Sequence, residues 1–138
     1  MSGVFERNRA LSTFEFFSSA IELRAEATRV AMSDAIPKRW RFTFAEPMAA
    51  TARDVVANVV TADAFYPNTP ENVVARKRHL TLAIAACEML CQDLQCAMAL
   101  GLPVKASRLE GLLERVEHEV KLLKGARSGV KLIGKGVE

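Results

Sequence analysis

Residues 69–101 read TPENVVARKRHLTLAIAACEMLCQDLQCAMALG, and this stretch decides the fold. Leu80, Ile84, Cys87, Cys91, Leu94 and Met98 recur within it at alternating steps of four and three. That spacing puts them on one stripe of a 3.6-residue helix, and its rhythm suits near-parallel packing against other helices. Leu90 and Ala97 widen the stripe enough for a second neighbour. Thr69 is placed to cap the helix, and Pro70 falls at the first helical position, where its missing N–H costs nothing. Gly101 suits the left-handed residue that closes a helix.

Working back from Thr69, the segment from Asp63 to Pro70 is a turn. Before it, Met48, Ala52, Val55, Val56, Val59 and Val60 form a helical stripe about twenty residues long, too long for a valine-rich strand. Its start is placed near Thr43 to within about three residues. Thr43-Phe-Ala-Glu46 offers a capping box, but Pro47 sits awkwardly for that register. Residues 37–44 alternate like a strand but have no second strand to pair with, so they read as a loop. An earlier helix starts at the capping box Ser12-Thr-Phe-Glu15 and runs to about Ala35, with Phe16, Ala20, Leu23, Ala27 and Val30 on its stripe. Ile36-Pro37 ends it. Beyond Gly101, Pro103 reads as the first residue of a last helix bearing Val104, Leu109, Leu112, Leu113, Val116, Val120 and Leu123, which stops at Gly125. The organisation predicted is all-α: an arm over 1–11, an up-down-up-down four-helix bundle over 12–125 and a flexible basic tail over 126–138.

Composition agrees with one bundle-sized domain: 138 residues, half of them hydrophobic and a quarter charged. No apolar run approaches the roughly 20 residues of a membrane span, and the N-terminus lacks the apolar centre of a signal peptide. A cytoplasmic protein without a membrane partner is therefore expected. Cys87, Cys91 and Cys96 lie on one helix, but Cys96 points away from the other two, so no metal site is expected from them.

Catalysis needs a constellation of groups, and none can be assembled. His79 and His118 follow Arg76 and Arg115 at the spacing where bundle di-metal sites carry glutamate. Both read as exposed polar residues. Glu110, Glu114 and Glu117 share one stripe and read as a solvated face. No enzyme activity and no cofactor are expected. The net charge of +3 is modest, but the cations gather at helix ends and connections. In an up-down bundle Lys38, Arg39 and Arg41 would lie near Lys105 and Arg108, while Arg76, Lys77 and Arg78 would meet Lys121, Lys124 and Arg127 at the other end. Trp40, between arginines, would either stack on an unpaired base or plug the end of the bundle.

Four stretches carry a resemblance: Ile36-Pro-Lys-Arg-Trp-Arg-Phe42, Tyr66-Pro67, Leu102-Pro-Val-Lys-Ala-Ser107 and Glu119-Val-Lys-Leu-Leu-Lys-Gly125. Together they resemble the accessory variability determinant family, over roughly residues 14–127. These are small four-helix bundles encoded beside the reverse transcriptase of diversity-generating retroelements and related to ribosomal bundle proteins. The resemblance implies a homopentameric barrel with basic surfaces. It also implies binding to the reverse transcriptase and to template RNA or an RNA–DNA hybrid, in support of error-prone cDNA synthesis. Carried onto this chain, the implied contacts are Lys38, Arg39, Arg41, Lys105, Lys121 and Lys124, with Arg76, Lys77 and Arg78 added on charge alone. The competing expectation is a structural oligomer or protein-interaction bundle whose basic ends confer solubility.

Overall fold

Four long helices make up most of the chain. The computed structural model describes Leu11 and residues 14–134. It contains α1 (Glu15–Ala31), α2 (Glu46–Ala64), α3 (Pro70–Ala99) and α4 (Ala106–Ser128), with no strand among the described residues. Each helix packs on its neighbours in sequence and α1 closes on α4, which is the four-helix bundle that the periodicity predicts. The antiparallel sense of α1 and α4 is visible in three pairs that run in opposite order along the two helices. Arg108 Nε lies 3.1 Å from Glu26 Oε2, Arg115 Nη1 3.6 Å from Glu22 Oε1, and His118 Nε2 3.3 Å from Glu15 Oε2.

The core follows a repeat of 3.5 residues. In α2 the buried residues are Met48, Ala52, Val55, Val59 and Ala62, and in α4 they are Leu109, Leu112, Val116, Glu119 and Leu123. In α3 the buried seam is Leu80, Ala83, Cys87, Leu90, Leu94 and Ala97, with Ile84 beside it. Steps of three and four in strict alternation keep a seam facing its partners only if the helices coil gently around one another. The expected stripe through Ile84, Cys91 and Met98 alternates in the same way but lies one residue off at every second position, where Ala83, Leu90 and Ala97 are buried. Ala97 is buried and Met98 is 47% exposed. Val60 of α2, one residue past the seam position Val59, also turns outward.

Both ends of α3 follow the expectation. The Thr69 hydroxyl accepts a hydrogen bond from the Asn72 amide at 3.1 Å, and Pro70 opens the helix. At the other end Gly101 takes φ 66°. Its N–H donates to the Met98 carbonyl at 3.0 Å, and the Leu102 N–H to the Ala97 carbonyl at 3.1 Å. This pair of bonds is a Schellman closure, sealed by the buried Leu102. Thr69→Ala leaves the Asn72 amide without its partner. It is expected to cost about 1 kcal/mol, seen as a fall of about 3–4 °C in the melting temperature.

Several boundaries differ from expectation. Phe14 is the N-cap of α1 and makes no side-chain cap bond; Ser12 of the expected capping box lies outside the described residues, as do residues 1–10 of the arm. Leu11, assigned to the arm, is buried. α1 ends at Ala31 rather than Ala35. Pro103 lies in the connection, and α4 begins at Ala106. Gly125 is not the stop, because α4 continues through it to Ser128. The chain after it packs back on the bundle: Val130 is buried, and the Ile133 N–H donates to the Pro67 carbonyl at 2.8 Å. A lone glycine costs only about 1 kcal/mol inside a helix, which continued packing offsets.

Candidate nucleic-acid interface

The expected loop over 37–44 is helical, wound in two unusual registers. A 3-10 turn (Lys38–Trp40) passes into a π turn (Arg41–Ala45), which leads directly into α2. Two prolines account for this. Pro37 forces Ile36 out of the α conformation and so separates the turn from α1. Pro47, in the first turn of α2, has no N–H to offer the Thr43 carbonyl, so the usual ladder cannot form there. The Glu46 N–H bonds instead to the Arg41 carbonyl five residues back. The wide turn directs Phe44 and Ala45 into the core and leaves Phe42 75% exposed.

Around this turn, Lys38 and Arg39 face solvent, with no ion pair among the described residues. Arg41 lies 3.5 Å from Glu46, both side chains about half exposed; a pair so placed contributes about 0–1 kcal/mol. Trp40 is half-buried against the core, with the Arg39 guanidinium 5.7 Å from its ring centroid. Of the two roles open to Trp40, this position matches the plug at the bundle end. Lys105 is the exposed N-cap of α4. Arg108 turns along α1 to Glu26 rather than toward Arg39. Burial alone would raise the Glu26 carboxyl, but the hydrogen bonds from Arg108 and Arg29 outweigh it and hold the carboxyl below its ordinary value.

At the opposite end the cations divide. Arg76 donates to the Phe65 carbonyl at 3.1 Å and lies 3.7 Å from the Asp63 carboxylate, so it clamps the α2–α3 turn. Arg127 Nη1 donates to Thr81 Oγ1 at 3.1 Å, which brings the end of α4 beside the early turns of α3 as the topology predicts. Lys77, Arg78, Lys121 and Lys124 are exposed. The predicted set thus separates into side chains that hold the fold (Arg76, Arg108, Arg127) and side chains that project from it. The second group presents its charge to solvent.

Two residues escaped the sequence reading. Phe42 gave no signal because a stretch read as loop has no inner and outer face. Glu119 did give one: the series Leu109, Leu112, Val116, Leu123 skips it at a seam position. Its side chain is wholly buried. Burial first, and the like charge of Glu15 second, push its carboxyl up from 4.5 to about 8, tempered by the Ser19 hydroxyl. Neither oxygen has a hydrogen-bond partner of acceptable geometry. His79, expected to be exposed, is half-buried and stacked on Phe65 with centroids 5.5 Å apart. His118, Glu110, Glu114 and Glu117 lie on the solvated side of α4 as expected. Cys87 is buried and Cys96 exposed.

The class that these features define is an all-helical four-helix bundle with solvent-facing cations at both ends. No family model matches the chain, and no curated protein is significantly similar to it. α3 is long and apolar enough to cross a membrane by length and composition, with 33% of its most apolar window buried in the bundle. A core helix touching two neighbours has the same composition.

Proposed function

We propose that this chain is a non-catalytic accessory protein of a diversity-generating retroelement. In this reading it holds template RNA, or an RNA–DNA hybrid, for the reverse transcriptase, as one subunit of a homopentamer. The observation that carries the reading is the placement of Lys38, Arg39 and Lys105 on solvent toward one end of the bundle and of Lys77, Arg78, Lys121 and Lys124 on solvent toward the other. Clustered cations of this kind give affinity with little sequence preference, and several copies in one assembly multiply it. The resemblance to the accessory variability determinant family supplies the partner and the assembly.

A titration against structured RNA at several salt concentrations tests it. Each neutralised phosphate adds about 0.7–0.9 to the slope of log affinity against log salt. Replacing Arg39, Arg41 and Lys105 together by glutamate is expected to lower RNA affinity about 10- to 100-fold and to flatten that slope. An unchanged slope in this variant would place the binding surface elsewhere.

A second reading, a structural oligomer or protein-interaction bundle, is favoured by one feature. Leu82 and Met89, a heptad apart on the outer side of α3, are 44% and 52% exposed. Apolar side chains aligned on the outside of a helix suit contact with another protein surface. Tight self-association in sedimentation together with no RNA binding at low salt would favour that reading.

A further inference from the structure

Phe42 is the most exposed large hydrophobic side chain among the described residues, at 75%. A phenylalanine left in water forgoes the stabilisation that burial would give, and the fold makes no use of this ring. Three cations, Lys38, Arg39 and Arg41, flank it within four residues. Beside them a cleft of about 220 Å³ opens between the end of α1 and the π turn. Lys38 and Arg41 line it together with Ser33 and the one anion, Asp34. The π turn sets this arrangement, since it faces Phe44 inward and Phe42 outward over a two-residue step. Wide turns of this type often mark functional positions in helices.

We infer that Phe42 is a stacking platform for one unpaired base, with Lys38, Arg39 and Arg41 on the flanking phosphates, so that this end of the bundle takes single-stranded nucleic acid. The inference rests on the nucleic-acid reading above and narrows it. A base inside a duplex has both faces covered by its neighbours, whereas an unpaired base offers a face to an aromatic ring. A protein partner fits the patch poorly. Seating on Phe42 would strip water from three cations, and charged residues are depleted at the centres of protein interfaces. A polyanion seats on the same cations by releasing its counterions.

The test compares a labelled oligouridylate of about 12 nucleotides with an RNA duplex of the same length. Each is titrated with full-length protein by fluorescence anisotropy at one salt concentration. Stacking of one base contributes about 1–3 kcal/mol, so Phe42→Ala is expected to weaken oligouridylate binding about 5- to 150-fold. Duplex affinity is expected to change less than about twofold, because its bases stay paired. Phe42→Tyr is expected to retain binding. The ring is solvent-facing, so an unchanged melting temperature verifies that the alanine variant folds. Equal losses on both ligands, or unchanged oligouridylate affinity, would overturn the stacking role while leaving the nucleic-acid reading in place. Wild-type protein that binds neither ligand would remove both.

Discussion

Replacing Glu119 by leucine is expected to stabilise the bundle by about 3 kcal/mol at pH 7 and by about 5 kcal/mol above pH 9, with little effect near pH 4. The carboxyl occupies a seam position of α4 between Leu112, Val116 and Leu123, fully removed from water. Its pKa in the fold is about 8 against an ordinary 4.5. A raised acid pKa means that the folded chain binds a proton the unfolded chain has released. Stability is therefore complete below about pH 4.5, declines as pH rises toward 8, and stays low above it. The groups facing Glu119 do not offset this. From α1 come the Ser19 hydroxyl and the Glu15 carboxylate, which lies 3.3 Å from His118. From α3 comes the Cys87 thiol, pushed up to about 12 by its own burial and then by Glu119, and so neutral throughout this range. Urea unfolding of wild type and variant at a series of pH values measures the difference directly. Glu119→Gln, close in size and without a titrating proton, is expected to abolish the same pH slope, which keeps the test sound if leucine overpacks the seam. Parallel stability curves for wild type and both variants would show that the carboxylate reaches water or a partner.

The second large effect is expected at Leu94. Its side chain is fully buried in the seam of α3, the helix that packs on both α2 and α4. Leu94→Ala removes that contact and leaves a cavity that rigid helices fill poorly, for a loss of about 3–5 kcal/mol. In a bundle of this size that is a fall of roughly 10–15 °C in melting temperature. Met98→Ala, one turn further along and on the expected stripe but largely exposed, is expected to change stability by less than about 0.5 kcal/mol. The pair discriminates between the two seams. Comparable losses at Leu94 and Met98 would mean that α3 presents the stripe through Ile84, Cys91 and Met98 to its neighbours.

That pair also shows how far sequence periodicity reaches. The expected stripe and the observed seam share Leu80, Cys87 and Leu94, one heptad apart, so these were legible. They differ by one residue at the alternate positions (Ala83, Leu90 and Ala97 against Ile84, Cys91 and Met98), and which side is buried depends on where the neighbouring helices lie, a property of the assembled bundle. The caps of α3 were legible because each is a local matter: the Thr69 hydroxyl and the Asn72 amide are three residues apart, and only glycine readily takes the φ of Gly101. Gly125 misled for the complementary reason. A glycine permits a helix to stop but does not compel it, and packing of the chain through Val130 carried α4 onward.

The candidate site divides along the same line. That the cations lie at helix ends is a fact of order along the chain, and the sequence by itself determined it. It likewise determined four amphipathic helices, their approximate extents and their alternating direction, since short connections between long helices leave few other arrangements. Tertiary structure alone decided which cations are available. Arg76 and Arg108 carry the same charge as Arg39, yet they bond to the Phe65 carbonyl and to Glu26, because folding brings those acceptors within reach from distant positions. It also decided that Trp40 packs and Phe42 projects, through a π turn whose register depends on where α1 stops and α2 begins. And it enclosed Glu119: an acidic residue two positions after Glu117 looks solvated in sequence, but α1 and α3 closing over this position of α4 leave no water there to keep it charged.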